Sequence, residues 1–208
     1  KLSLELGGKN ATIILDDADL SIAAQGAARA AFTNSGQVCL CGSRILVADA
    51  IYDEFVEKLV SEVNNMTVGN PQLTDTDIGS VISQEHMNKI LSYIDLAANE
   101  HGRILTGGKQ LSLPKPNADG AFIAPTLIDR IPIDSRCATE EIFGPVATIH
   151  RFSSDEEAIE MANLTQYGLA GSVWTSDTER GKAVAEQVES GILWAVSYTH
   201  LRAHETNS

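Results

Sequence analysis

The chain has 208 residues, enough for one sizeable domain or two small ones, and 43% are hydrophobic, which allows a packed core and sets disorder aside. A formal net charge of −13 argues against nucleic acid as a partner, and three cysteines suit a reducing compartment better than a secreted disulfide scaffold. No apolar run approaches the roughly 20 residues of a membrane span, so no membrane partner is expected. Residues 1–15 also lack the basic start, apolar stretch and small-residue site of a secretory leader, and the expected location is the cytoplasm. Lys1 stands where a methionine would, and the chain opens inside the alternating run Leu2, Leu4, Leu6. Residues 195–208 are polar and unpatterned. The expectation is therefore a piece of a longer protein, with residues 1–194 as its patterned part and 195–208 as a non-native tail.

Residues 11–15 (A-T-I-I-L) predict a buried strand. Asp19 is placed to cap a helix through about residue 34, with Ala23, Ala27, Ala31 and Phe32 on its apolar side and Gly36 closing it. Residues 43–48 predict the next strand. Residues 52–66 carry the clearest helical pattern, through Phe55, Val56, Leu59, Val60 and Val63, and Gly69-Asn70-Pro71 stops it. Ser83 caps a helix to about residue 99, with Met87, Ile90, Leu91, Ile94 and Ala98 inward. Residues 103–106 predict a short strand before Gly107 and Gly108, and residues 113–120 a surface loop. Residues 121–127 and 146–152 predict strands, and Ser154 with Glu157 forms a capping box opening a helix that includes Ile159 and Met161. Residues 169–174 predict a strand, 178–190 a helix with Gly191 as its cap, and 192–194 the start of another strand. This alternation implies an α/β layer architecture.

Two segments could carry chemistry. Leu4-Glu5-Leu6-Gly7-Gly8-Lys9-Asn10 sets one carboxylate beside two glycines where backbone can approach a ligand; the plain alternative is a solvated glutamate in a surface turn. Asn34-Ser35-Gly36-Gln37-Val38-Cys39-Leu40-Cys41-Gly42-Ser43-Arg44 puts a cysteine in a loop between helix and strand, where it can be exposed and activated; the alternative is a small buried hydrophobe. If the C-x-C segment is extended, its two thiols point to opposite faces. Cys137 has no partner nearby in sequence and reads as structural, as does His150 in its strand. Gly7-Gly8-Lys9 lacks the spacing of a phosphate loop, and no G-x-G-x-x-G occurs. His200 and His204 have helical ligand spacing but no third ligand, so no metal site is expected. In Glu140-Glu141-Ile142-Phe143-Gly144-Pro145-Val146, an acid beside an aromatic could grip a ribose and stack on a ring.

At these three segments the sequence resembles the aldehyde dehydrogenase superfamily, across roughly residues 1–194. L-E-L-G-G-K-N is similar to the family's glutamate motif, N-S-G-Q-V-C to its cysteine motif and E-E-I-F-G-P-V to its third motif, in the right order. Q-Y-G-L-A-G-S-V-W, residues 166–174, is a fourth point of likeness. The resemblance implies an open, mostly parallel twisted sheet with helices on both faces. It implies Cys39 as nucleophile, Glu5 as general base, Glu141 and Phe143 as the cofactor-contacting pair, and Leu6 and Gly7 near the nicotinamide of NAD or NADP. It implies oxidation of a small-molecule aldehyde to an acid through a thiohemiacetal and thioester, with Glu5 partly desolvated so that it can act as a base. The C-x-C-G-S-R variant resembles the branch acting on muconic semialdehydes. By the same resemblance the full-length protein is a homo-oligomer, and its dinucleotide-binding domain lies before these residues, so that this piece does not turn over alone. Two competing expectations are a non-catalytic interaction module that keeps the fold and a cofactor-independent thiol esterase.

Overall fold

A computed structural model describes residues 5–196. The strand β1 (Ala11–Ile14) lies beside β2 (Arg44–Ala48) and β8 (Ala170–Trp174), parallel to both. β7 (Val146–Phe152) and β6 (Thr126–Asp129) continue the parallel sheet beyond β2, and β9 (Ile192–Val196) continues it beyond β8. β3 (Arg103–Thr106) closes the far edge antiparallel to β6, giving seven strands in the order β3-β6-β7-β2-β1-β8-β9. Two short strands, β4 (Gln110–Leu111) and β5 (Phe122–Ile123), pair separately. The expected open, mostly parallel sheet is the one found.

Every residue of β1 and β2 is buried, because helices cover both faces. Successive side chains therefore enter different cores. Ile14, Ile45 and Val47 pack under α1 (Leu20–Phe32) and α2 (Tyr52–Asn64). Ile13, Leu46 and Val173 pack under α5 (Asp155–Ala162) and α6 (Thr178–Ala185). On that second face α3 (Gln84–Asn99) and the four-residue α4 (Arg136–Thr139) bury Met87, Ile90, Ile94 and Cys137 against Ile128 and Val146. Each such aliphatic side chain contributes about 1.5–3 kcal/mol on burial.

The starts of the helices match their capping residues. Asp19 accepts from the amides of Ser21 and Ile22, and Ser83 from that of His86. Ser154 accepts from Glu157 at 3.2 Å, while the Glu157 carboxylate reaches back to the Ser153 amide at 2.6 Å.

α3 ends at Asn99 as expected, whereas the ends of α1 and α6 depart from expectation. α1 stops at Phe32, because Asn34 and Ser35 adopt φ of 51° and 59° before Gly36 at 69°. α6 stops at Ala185, not near residue 190: the Asn163 amide binds the Gln187 carbonyl and the Glu189 N–H, pulling them off the helical ladder. Gly191 is thus no helix cap, and its N–H binds the Gly168 carbonyl. Residues 121–127 divide into β5 and β6 around Pro125, which has no N–H to give a ladder. On α3 the inward residue is Ala97, while Ala98 lies one position round and is exposed. β9 extends through Val196 in register with Trp174, so the patterned part runs two residues past 194. His200, His204 and the rest of the expected tail lie outside the described residues. Among the described residues no helix is long and apolar enough to cross a membrane.

Candidate active site

Three motifs each lead directly into a strand: residues 5–10 into β1, 34–43 into β2 and 140–145 into β7. The sheet order β7-β2-β1 makes these strands neighbours, and all run parallel, so their leading loops meet at one edge. The fourth point of likeness leads into β8, the next strand along.

The cysteine loop is shaped by backbone. Three successive left-handed residues, Asn34 to Gly36, turn the chain sharply after α1. A side chain on Gly36 would overlap the Gly144 carbonyl, so only glycine lets the cysteine loop lie against the Glu140–Gly144 loop. The Cys41 N–H then closes a turn on the Val38 carbonyl at 2.9 Å. Cys39 and Cys41 therefore sit in a turn, not in the extended segment that alternation assumed. Cys39 is half-buried, whereas Cys41 and Cys137 are buried, and all three are free thiols. Burial pushes the Cys41 and Cys137 thiols up, away from the reactive thiolate. Cys137 donates to the Tyr93 carbonyl at 3.1 Å, consistent with a packing role.

The glutamate motif touches both partners. The Gly8 N–H donates to the Glu141 carboxylate at 3.0 Å, and a Cβ on Gly7 would lie 2.5 Å from the other carboxylate oxygen. A Cβ on Gly8 would lie 2.6 Å from the Cys39 carbonyl. Phe143, at φ 57°, presents a ring that is 37% exposed, while its carbonyl accepts from His86 Nε2 at 2.6 Å. Leu6 is 56% exposed, and Glu5 and Gly7 are exposed beside it. The partial desolvation expected of Glu5 is not met within this chain, where the residue is exposed.

Sequence reasoning missed the buried polar residues behind this edge. Arg44, 2% exposed, donates to the Lys9 carbonyl at 2.8 Å and to the Met161 and Ala162 carbonyls at 2.7 Å each, tying the glutamate motif to the C-terminus of α5. Lys9 is 1% exposed, and its Nζ has no hydrogen-bond partner among the described residues. Burial first, then the Arg44 charge, lowers the Lys9 ammonium to about 7. Burial, Arg44 and Lys9 also hold the His150 imidazole down at about 4, so it is neutral near pH 7. Asn10 spans the gap between loops: Nδ2 donates to the carbonyls of Cys39 and Cys41 at 2.8 and 3.0 Å, and Oδ1 accepts from the Ala170 N–H at 3.1 Å. A polar residue ending a glycine-rich motif was the available signal, but its partners are distant in sequence.

Two hollows flank the sheet. An apolar one of about 200 Å³ adjoins the cysteine turn, lined by Leu40, Ala30, Gly42, Trp174 and Trp194 among others. A larger one of about 510 Å³, with a mixed polar and apolar lining, lies at the opposite edge, near Asp129, His150 and Arg151, away from the three motifs. Among the described residues no group of three His, Cys, Asp or Glu side chains is gathered so as to hold a metal ion.

A half-buried thiol, an exposed glutamate at the start of the neighbouring loop and an acid–aromatic pair approached through two glycines thus lie on loops that meet at one end of the sheet. The model of the aldehyde dehydrogenase family matches residues 1–207, and the chain belongs to that family. It is 46% identical over 196 residues to a mouse 2-aminomuconic semialdehyde dehydrogenase, and the match covers 93% of this chain and 40% of that protein. It is 42% identical over 197 residues to the 2-hydroxymuconic semialdehyde dehydrogenase of Pseudomonas sp. strain CF600, covering 95% of this chain and 40% of that protein. A betaine aldehyde dehydrogenase from Staphylococcus aureus, crystallised with NAD+, superposes with a TM-score of 0.88 at 42% identity, covering 93% of this chain and 38% of that one. The chain thus spans about 40% of the length of the curated relatives it matches.

Proposed function

We propose that residues 1–194 form the catalytic domain of an NAD-dependent aldehyde dehydrogenase acting on a semialdehyde of the muconic class, cytoplasmic and homo-oligomeric as the full-length protein. The observation that supports this best is Cys39, the one thiol not buried, in a loop that the other two motif loops contact through Asn10 and Gly144. The substrate class rests on the names of its relatives and on the C-x-C-G-S-R segment.

The residues present fit the cofactor. Glu141 commits one carboxylate oxygen to the Gly8 N–H, and its other oxygen faces the space that a Gly7 side chain would fill, free to accept from a ribose hydroxyl. Phe143 offers an exposed ring face, and Leu6 and Gly7 leave room for a nicotinamide. NADP would meet the same groups here.

Cys39 as thiolate adds to the aldehyde carbon; the C–S bond forms and the carbonyl π pair moves to oxygen. Backbone N–H groups at the turn stabilise that oxyanion. When held by Glu141 and Phe143, NAD would supply the hydride acceptor, and the adduct carbon gives up its hydride as the oxygen pair re-forms the C=O of a thioester. Glu5 then takes a proton from water as its oxygen attacks the thioester carbon. The C–S bond breaks, the carboxylic acid leaves and Cys39 returns as thiolate. The apolar hollow beside Leu40 suits a carbon chain attached to the aldehyde.

Limiting iodoacetamide followed by mass mapping tests the assignment on the chain itself. Cys39 is expected to label first, because Cys41 and Cys137 are buried. Preferential labelling of either buried thiol would overturn it.

A further inference from the structure

We infer that Asn10 is a positioning residue that fixes the peptide units around Cys39 so that the Leu40 N–H, with the Cys39 N–H, faces the reacting oxygen. The inference rests on the reading of Cys39 as nucleophile. Asn10 is 4% exposed, and its amide is fully committed: two donors to the Cys39 and Cys41 carbonyls, one acceptor to the Ala170 N–H. These partners fix which end of the amide is nitrogen.

In a planar trans peptide the C=O and the following N–H point in opposite directions. Drawing the Cys39 carbonyl inward to Asn10 therefore turns the Leu40 N–H away from it. Drawing the Cys41 carbonyl inward turns the Gly42 N–H the other way, and that N–H meets the Ala30 carbonyl at 3.1 Å. The Leu40 and Cys39 N–H groups have no acceptor among the described residues. They are thus two free donors on the turn that carries the thiol. Without the clamp, rotation of the 39–40 peptide about its flanking bonds could exchange that N–H for a carbonyl oxygen. A donor to an oxyanion would become a partial negative charge against it.

This separates two reactions of the same thiol. Acylation by p-nitrophenyl acetate passes through a tetrahedral oxyanion: the C–S bond forms, the carbonyl pair moves to oxygen, and p-nitrophenolate leaves. Alkylation by iodoacetamide displaces iodide and develops no oxyanion. The full chain, with Asn10→Asp and Asn10→Ser, is assayed for both at Cys39. Aspartate keeps the acceptor for Ala170 but loses the donors, and serine is too short to reach both carbonyls. Acylation is expected to fall by on the order of 10²–10³, as for one lost oxyanion donor, with alkylation little changed. Equal falls in both would make Asn10 merely structural, and unchanged acylation would also overturn the inference. If the unaltered chain is not acylated at Cys39, the nucleophile assignment itself fails. Should neither variant fold, amide hydrogen exchange on the unaltered chain decides. Fast exchange at Leu40 supports the inference, and strong protection there overturns it.

Discussion

Lys9 sits in a glycine-flanked motif that reads as solvent-exposed, yet its ammonium is buried without a hydrogen bond. Burial, the largest cause, and the Arg44 charge together lower it from 10.5 to about 7, outweighing the opposing pull of the Glu140 and Glu141 carboxylates. Between about pH 7 and 10.5 the unfolded chain therefore binds a proton at this residue that the folded chain does not. Folding stability should rise with pH across that window, and below pH 7 the penalty is constant. In Lys9→Met the contribution vanishes. The stability difference between the two proteins, from urea titrations, should shrink in favour of the parent by on the order of a few kcal/mol as pH rises through the window. Parallel curves would show that Lys9 is solvated. Nothing local announces this burial: Lys9 is enclosed by α5, Arg44 and the 137–141 segment, all remote in sequence. Cys39 was legible because its motif is contiguous, whereas Asn10 was not, because its three partners are 29 to 160 positions away.

At the scale of elements, most strands, the starts of the longer helices and the end of α3 at Asn99 were legible, while the ends of α1 and α6 and the short elements α4 and β4 were not. Asp19, Ser83 and Ser154 cap as their sequence positions imply, because each satisfies orphan amides within its own first turn. The early end of α6 depends on Asn163, 24 positions before Gln187, and no local pattern encodes it. The end of α1 depends on left-handed backbone at two non-glycine residues, which only the packed site sustains. Gly36 makes that packing testable. In Gly36→Ala the left-handed φ of 69° alone costs on the order of 1–3 kcal/mol. Overlap with the Gly144 carbonyl adds to this, since backbone does not move aside easily. Chemical denaturation should show a loss of at least that size. Unchanged stability would mean the loops do not meet.

For the whole molecule, topology explains how residues as distant as Gly8 and Glu141 share a site. In open α/β sheets ligands commonly sit at the carboxyl ends of strands, but here the motif loops gather at the amino ends of β7, β2, β1 and β8. The loops that lead into adjacent parallel strands converge there whatever their spacing in the chain. Sequence alternation implied the sheet, but strand order is a property of the fold, so the convergence became legible only through the family resemblance. The central claim is the division of labour between Cys39 and Glu5, and the most direct test places the chain within a full-length relative. The chain replaces the matching segment of the Staphylococcus aureus betaine aldehyde dehydrogenase, with which it shares 42% identity. NADH absorbance is then followed by rapid mixing with a saturating semialdehyde. Cys39→Ala should abolish all NADH formation, because no covalent adduct forms. Glu5→Gln should leave a burst of one NADH per site while steady turnover falls by on the order of 10²–10⁴, the effect of losing a general base. Unchanged burst and steady rates in Glu5→Gln, or a burst surviving in Cys39→Ala, would contradict the account.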